Sequence, residues 1–203
     1  MSDLFDSPVR YLITPGSLTP SNFQTEKDSL LETIRFAAEA RIELVQVREK
    51  LLSGKQLFEL AVLAVEIARG SGTRILINER FDIAIAASAH GVHLTSRSIP
   101  VSEVRANVPD GFLIGVSAHR GSEVEAARNR GADLALFGPV FATPGKGDQL
   151  GLDEFGSVCR GTAPFPVIGI GGIDDSNADD VIAAGAAGFA SIRYLNEFVR
   201  IAR

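Results

Sequence analysis

Gln46, Arg48 and Lys50 alternate with Val45, Val47 and Glu49, and the two-residue period of a strand sends three such polar side chains to one side. If that side is the interior of a sheet, an anion or a counter-charge must meet them, because burying unpaired charge is costly. A structural bridge from Arg48 to Glu79 or Glu49 is the plainer alternative. Further along, VIGIGGI closes an apolar run on Gly171 and Gly172 before Asp174-Asp175-Ser176-Asn177. Backbone N–H groups at such a turn can cradle a phosphate, although paired glycines also serve plain tight turns. The stretch Phe137 to Gly147, FGPVFATPGKG, carries Thr143 and Lys146 on a Pro/Gly-rich loop suited to a lid over a phosphorylated substrate. A loop lysine that is merely solvated is the bland reading. Of the histidines, His119 follows Ser117 at the end of another apolar run and could give or take a proton near neutral pH. His90 reads as part of an exposed turn, and His93 as a satisfied core imidazole. No His/Asp cluster has metal-ligand spacing, and neither a G-x-S-x-G nor a Walker loop occurs.

Such residues do chemistry together only if the fold gathers them. Eight short apolar runs begin near Tyr11, Leu44, Arg74, Gly91, Leu113, Leu134, Val167 and Gly188, and helix-like segments separate them, which is the pattern of a parallel sheet built from βα units. Between Lys55 and Arg69, one helical stripe collects Leu57, Leu60, Ala61, Ala64, Ile67 and Ala68. Ser29 to Ala40, Ser122 to Arg130 and Ser176 to Ala184 read as helices too. The almost wholly apolar run from Phe81 to Ala89 suggests a short helix buried on most sides. Thr14, Asn78, Glu79 and Arg80 join the candidates because they also lie at strand ends. In a closed (β/α)8 barrel those ends converge on one face. The expectation is a compact TIM barrel, residues 1–203 as a single domain, with an open doubly wound sheet as the alternative.

Composition narrows the partners. The chain of 203 residues has 25 acidic against 20 basic residues, a net charge of -5, which repels a phosphate polymer and disfavours nucleic acid. Cys159 is the single cysteine, so neither an intrachain disulfide nor a thiolate metal site can form. The segment MSDLFDSPVR lacks a signal-peptide pattern, and no stretch approaches 18 uninterrupted apolar residues. A cytoplasmic protein with no membrane partner is expected, and a homo-oligomer stays open.

Taken in order, VQVREK (45–50), INERFDIA (77–84), GVHL (91–94), IGVSAH (114–119), GADLALFGPVFATPGK (131–146) and VIGIGGI (167–173) resemble the thiamine-phosphate synthase and TenI superfamily from Tyr11 to about Leu195. The resemblance implies a (β/α)8 barrel. It implies a transferase that uses Mg2+ to join hydroxymethylpyrimidine diphosphate to thiazole phosphate, releasing diphosphate and forming thiamine phosphate. By the same resemblance Gln46, Arg48, Lys50, Asn78, Ser117 and Lys146 match contacts to the pyrimidine diphosphate, while Gly171, Gly172 and the end of the last strand match the thiazole-phosphate site. Three positions depart from the synthase pattern: Glu79 stands where a metal-binding Asp is expected, Ser98 where a second Asp is expected, and Arg193 where a phosphate-contacting serine is expected. A second lid threonine is replaced by Gly145. Mg2+ tolerates such losses poorly. Two alternatives follow: a metal-independent TenI-type thiazole tautomerase using His119, and a non-catalytic phosphate-binding or regulatory barrel.

Overall fold

In the computed structural model, which describes residues 2–145 and 147–201, eight parallel strands close into a barrel in sequential order, β1 to β8. The strands are β1 (Val9–Ile13), β2 (Leu44–Val47), β3 (Arg74–Asn78), β4 (Gly91–Leu94), β5 (Leu113–Ala118), β6 (Leu134–Phe137), β7 (Val167–Ile170) and β8 (Gly188–Ser191). Each is followed by a helix: α1 (Phe23–Glu39), α2 (Gly54–Ala68), α3 (Phe81–Ala86), α4 (Val101–Arg105), α5 (Gly121–Asn129), α6 (Gly151–Thr162), α7 (Ala178–Ala183) and α8 (Arg193–Ile201). Closure leaves no sheet edge to protect. None of the described helices is long and apolar enough to cross a membrane.

Strand alternation divides the apolar residues between two cores. Leu12, Val45, Val47, Ile75, Ile77, Val92, Ile114, Val116, Ala135 and Phe137 point outward and pack with the helices. Their neighbours Tyr11, Ile13, Leu44, Leu76, Leu113, Leu134, Leu136, Ile168 and Ala190 fill the barrel interior, where Leu4, from a 3-10 turn at Ser2–Phe5, joins them. The seam between first and last strand pairs Val9 with Gly188 and Tyr11 with Ala190.

Helix α1 starts six residues before the expected Ser29, because Asn22 and Thr19 form a reciprocal turn ahead of it: Thr19 N donates to Asn22 Oδ1 (2.7 Å) and Asn22 N to Thr19 Oγ1 (3.3 Å). Helix α2 begins on a Ser53/Gln56 capping box, in which each side chain satisfies a free N–H of the first turn. The expectation for 81–89 needs correction. The helix ends at Ala86, and only Ile83, Ala84, Ala87 and Ala89 are buried, whereas Asp82, Ile85, Ala86 and Ser88 are exposed. An apolar run of small residues is short of bulk, and alanine is readily left on a surface.

The seam is a point of close approach. A Cβ on Gly188 would stand 2.1 Å from the Val9 carbonyl oxygen, so the two strands can pair only if this position has no side chain. Gly188→Ala is expected to destabilise the fold by about 1–3 kcal/mol or more, read as a lower urea midpoint with an unchanged slope.

Candidate functional site

Parallel strands deliver their C-terminal ends to one rim. Strand β2 ends at Val47, which separates the three polar residues of its sequence. Gln46 is buried and points into the barrel, between Ile13 and Leu76 in register. Arg48 is half-buried just above it, and Lys50 is exposed in the following turn. The alternation therefore holds as far as Arg48 and is lost at Lys50, because the chain has left the sheet.

Glu49, which the sequence reading assigned only to a bridge, is 2% exposed. Its Oε1 accepts from Thr14 Oγ1 (2.7 Å) and from Gly16 N (3.0 Å), and its Oε2 accepts from Leu18 N (2.8 Å). Thr14 Oγ1 in turn accepts from Arg48 N at 2.8 Å. The carboxylate thus staples the loop after β1 to the end of β2, and its donors make its burial tolerable. A Cβ on Gly16 would approach the Arg48 carbonyl oxygen to 3.1 Å and Nη1 to 3.4 Å, so the loop lies against the arginine. Among the described residues, neither Arg48 nor Lys50 has a carboxylate within ion-pair distance. The alternative reading of a bridge from Arg48 to Glu49 or Glu79 does not hold.

Glu79 adopts a left-handed backbone, φ 61°, uncommon away from glycine. Its side chain collects donors from the loop after β4 and from the end of β3. Oε1 accepts from Thr95 Oγ1 (2.7 Å) and Ser98 Oγ (3.2 Å), and Oε2 accepts from Asn78 Nδ2 (3.1 Å). The Thr95 hydroxyl first, then the Lys50 charge, Ser98 and Asn78, hold the carboxyl below the usual range against the opposing effect of burial. Glu79 is ionised, and Ser98 supplies a hydroxyl donor where a second carboxylate was expected. Among the described residues no group of three His, Cys, Asp or Glu could hold a metal ion. Glu79 remains the carboxylate able to meet one together with oxygens brought by a substrate, the way Mg2+ is commonly bound.

Beneath the rim, a polar thread crosses the barrel interior. Gln46 Nε2 donates to Tyr11 Oη (3.2 Å), Tyr11 Oη lies 3.4 Å from His93 Nδ1, and His93 Nε2 lies 2.9 Å from Ser117 Oγ. The Tyr11 and His93 rings meet edge to face at 5.9 Å. A Cβ on Gly115 would come within 2.8 Å of His93 Nδ1, so glycine there makes room for the imidazole. Burial pushes the His93 pKa down to about 3, with Arg48 adding to the depression and Glu79 opposing it. Burial likewise pushes the Tyr11 phenol up. His93 is the satisfied core imidazole expected from sequence, while Tyr11 was missed. The available signal was a polar tip at an inward position of the first strand.

On the opposite arc, Gly171 (φ 101°) and Gly172 (φ 66°) are both left-handed. A Cβ on Gly171 would lie 2.6 Å from Pro139 Cα, and one on Gly172 would lie 2.8 Å from the Ala142 carbonyl oxygen. Val140 N donates to Ile170 O (2.9 Å) and Phe141 N to Gly171 O (3.0 Å). The loop after β6 crosses this pair closely, so neither position has room for a side chain. The N–H groups of Gly171, Gly172 and Arg193 meet no acceptor among the described residues, so the turn keeps the donors that a phosphate needs. Arg193 is exposed at the first turn of α8, which Ser191 caps by accepting from Tyr194 N at 3.1 Å. Ser191 was not singled out from sequence. Thr143 is half-buried and donates to Phe141 O (3.0 Å), whereas Lys146 lies outside the described residues. His119, at the end of β5, is exposed and its Nδ1 lies 2.7 Å from Gly138 O. That contact fixes the ring beside the start of the β6 loop and leaves Nε2 without a partner among the described residues.

Residues 11–195 match the family model described as thiamine monophosphate synthase. The chain is 39% identical over 185 residues to a putative thiamine-phosphate synthase of Geobacter sulfurreducens, spanning 90% of this chain and 84% of that one. It is 42% identical over 161 residues to the thiamine-phosphate synthase of Methanoculleus marisnigri, spanning 78% and 76%. A thiamine phosphate pyrophosphorylase structure from Pyrococcus furiosus superposes with a TM-score of 0.82 at 26% identity, over 97% of this chain and 94% of that one.

The neutral His93 and ionised Glu79 make stability depend on pH on the acid side. His93 has its folded pKa depressed from 6.5 to about 3, so below pH 6.5 the unfolded chain binds a proton that the folded one refuses. Stability is complete above that pH and falls by up to about 1.4 kcal/mol per pH unit as pH drops toward 3. Glu79, with its pKa lowered, adds a loss as pH falls through the carboxylate range. Urea midpoints measured from pH 7 to pH 4 should fall steadily, and His93→Gln should flatten the upper part of that decline.

Proposed function

The chain belongs to the thiamine monophosphate synthase family, and on that premise we propose that its barrel mouth condenses hydroxymethylpyrimidine diphosphate with thiazole phosphate. Family membership makes it a transferase of the diphosphorylase type acting in thiamine biosynthesis. The proposal concerns which residues carry the reaction here, with residues 1–203 acting as one catalytic domain. A single observation supports it most: Arg48 and Lys50 stand at the rim without a carboxylate partner among the described residues, in a protein whose net charge is -5.

In this reading the diphosphate rests against Arg48 and Lys50, with Ser117 and Asn78 donating to it and Gln46 turned toward the pyrimidine ring. Lys146 is assigned to the same leaving group from sequence. The bond between the pyrimidine methylene and the diphosphate oxygen breaks, and the thiazole nitrogen bonds to that methylene. Cations fixed in place before the reaction stabilise the charge that develops on the departing oxygens. Gly171 and Gly172 N–H groups and Arg193 hold the thiazole phosphate, and Thr143, on the loop crossing that turn, borders it. Arginine in place of the family's serine changes a hydroxyl contact to a charged, planar one. Mg2+, when bound, supplies further charge neutralisation on the diphosphate, and Glu79 is the side chain to hold it.

Two observations favour the tautomerase alternative. Glu79 has a hydroxyl neighbour, Ser98, in place of a second carboxylate, and His119 is a fixed, accessible imidazole. Incubation with both phosphorylated substrates, with and without Mg2+, separates the two. Mg2+-dependent release of diphosphate with formation of thiamine phosphate is expected, and metal-independent isomerisation of the thiazole alone would overturn the synthase reading. Arg48→Met should raise KM for the pyrimidine diphosphate at least tenfold, as loss of a charged contact worth about 1.5–3 kcal/mol requires. The paired change Glu79→Asp, Ser98→Asp should lower the Mg2+ concentration that gives half-maximal rate, checked by metal titration at saturating substrate.

A further inference from the structure

The His93 imidazole has two neutral tautomers, each with its own pattern of hydrogen bonds across the barrel interior, and the rim decides between them. Tyr11 Oη has one proton. If it accepts from Gln46 Nε2 at 3.2 Å, that proton is free for His93 Nδ1 at 3.4 Å. A neutral imidazole whose Nδ1 accepts carries its proton on Nε2, 2.9 Å from Ser117 Oγ. Ser117 then accepts from His93 and keeps its own proton to give away. With the other tautomer His93 Nδ1 donates to Tyr11 Oη, whose lone pairs can accept from Gln46 as well, and Nε2 becomes the acceptor. Ser117 would spend its proton on His93 and present lone pairs to the mouth.

The mouth is lined by Arg48 and Lys50, which have no carboxylate within ion-pair distance among the described residues, so it suits an anion, and a serine facing an anion is useful only as a donor. We propose that Tyr11 and His93 are positioning residues that fix Ser117 as an outward hydrogen-bond donor and Gln46 as a reader of the pyrimidine ring. The inference rests on the reading of the mouth as the pyrimidine diphosphate site. With one amide proton committed to Tyr11, Gln46 keeps its carbonyl and its second amide proton, a paired acceptor and donor that match a ring edge offering the complementary pair. The imidazole is 1% exposed, a setting that favours its neutral form. The space beside Gly115 and the edge contact with Tyr11 hold the ring in place.

The tautomer can be read directly. In the intact protein labelled with 15N-histidine, His93 should show a protonated Nε2 and a bare Nδ1, and a protonated Nδ1 would overturn the proposal outright. Function supplies a second arm. Tyr11→Phe keeps the ring and removes the hydroxyl; it should raise KM for the pyrimidine diphosphate about tenfold while leaving KM for the thiazole phosphate unchanged. A purely structural role would move both constants together. His93→Gln, which can accept from Tyr11 and donate to Ser117, should restore most of the affinity that His93→Leu loses. Unchanged KM in Tyr11→Phe alongside a raised KM in Arg48→Met would reject the positioning role and leave the mouth assignment standing. Unchanged KM in Arg48→Met would reject that assignment, and with it the reason for Ser117 to donate outward.

Discussion

Closure of a parallel sheet forces every second residue of every strand into one small interior, and most of this protein's organisation answers that constraint. The lower part is filled with Leu44, Leu76, Leu113, Leu134, Leu136 and Ile168. Higher up, where strands run out, polar side chains take over, and each must find a partner or face solvent and substrate. Tyr11, Gln46, His93 and Ser117 satisfy one another. Arg48, just past the end of β2, is half-buried at the rim and has no carboxylate within ion-pair distance among the described residues.

The same constraint explains which residues could be read from sequence. Apolar runs of strand length with intervening helical stripes specify eight βα units, and all eight strands begin within two residues of their expected starts, because the pattern is local. Gln46 inside the barrel follows from alternation in VQVR. Glu49 does not, since its partners Thr14, Gly16 and Leu18 are 31 to 35 residues away and nothing in REK announces that a carboxylate will turn inward. Lys50 escaped the alternation because the strand ends three residues earlier, and strand ends are set by neighbouring strands. Tyr11 and Ser191 were overlooked because each lies in a run whose apolar character dominates.

Glycine gave mixed information for a related reason. Gly171 and Gly172 are explained in full by the close passage of the 138–143 loop, yet the backbone conformation that this passage requires also leaves N–H groups turned outward. Steric need and the proposed phosphate contact draw on one geometry, so the two readings are not rivals that sequence could separate. At Gly115 the vacancy has another use, as the space occupied by an imidazole.

The exchange of a carboxylate for Ser98 has a consequence for how strongly surroundings govern the mouth. One negative charge fewer stands near Glu79, so Arg48 and Lys50 face less opposition, and more of the hold on a polyanion comes from protein cations at a solvent-facing rim. Attraction of that kind is weakened by dissolved ions over a Debye length of about 8 Å at physiological ionic strength. On the proposed reading of the mouth, substrate capture weakens as ionic strength rises, more than in a barrel that clamps its ligand through two carboxylates and a metal.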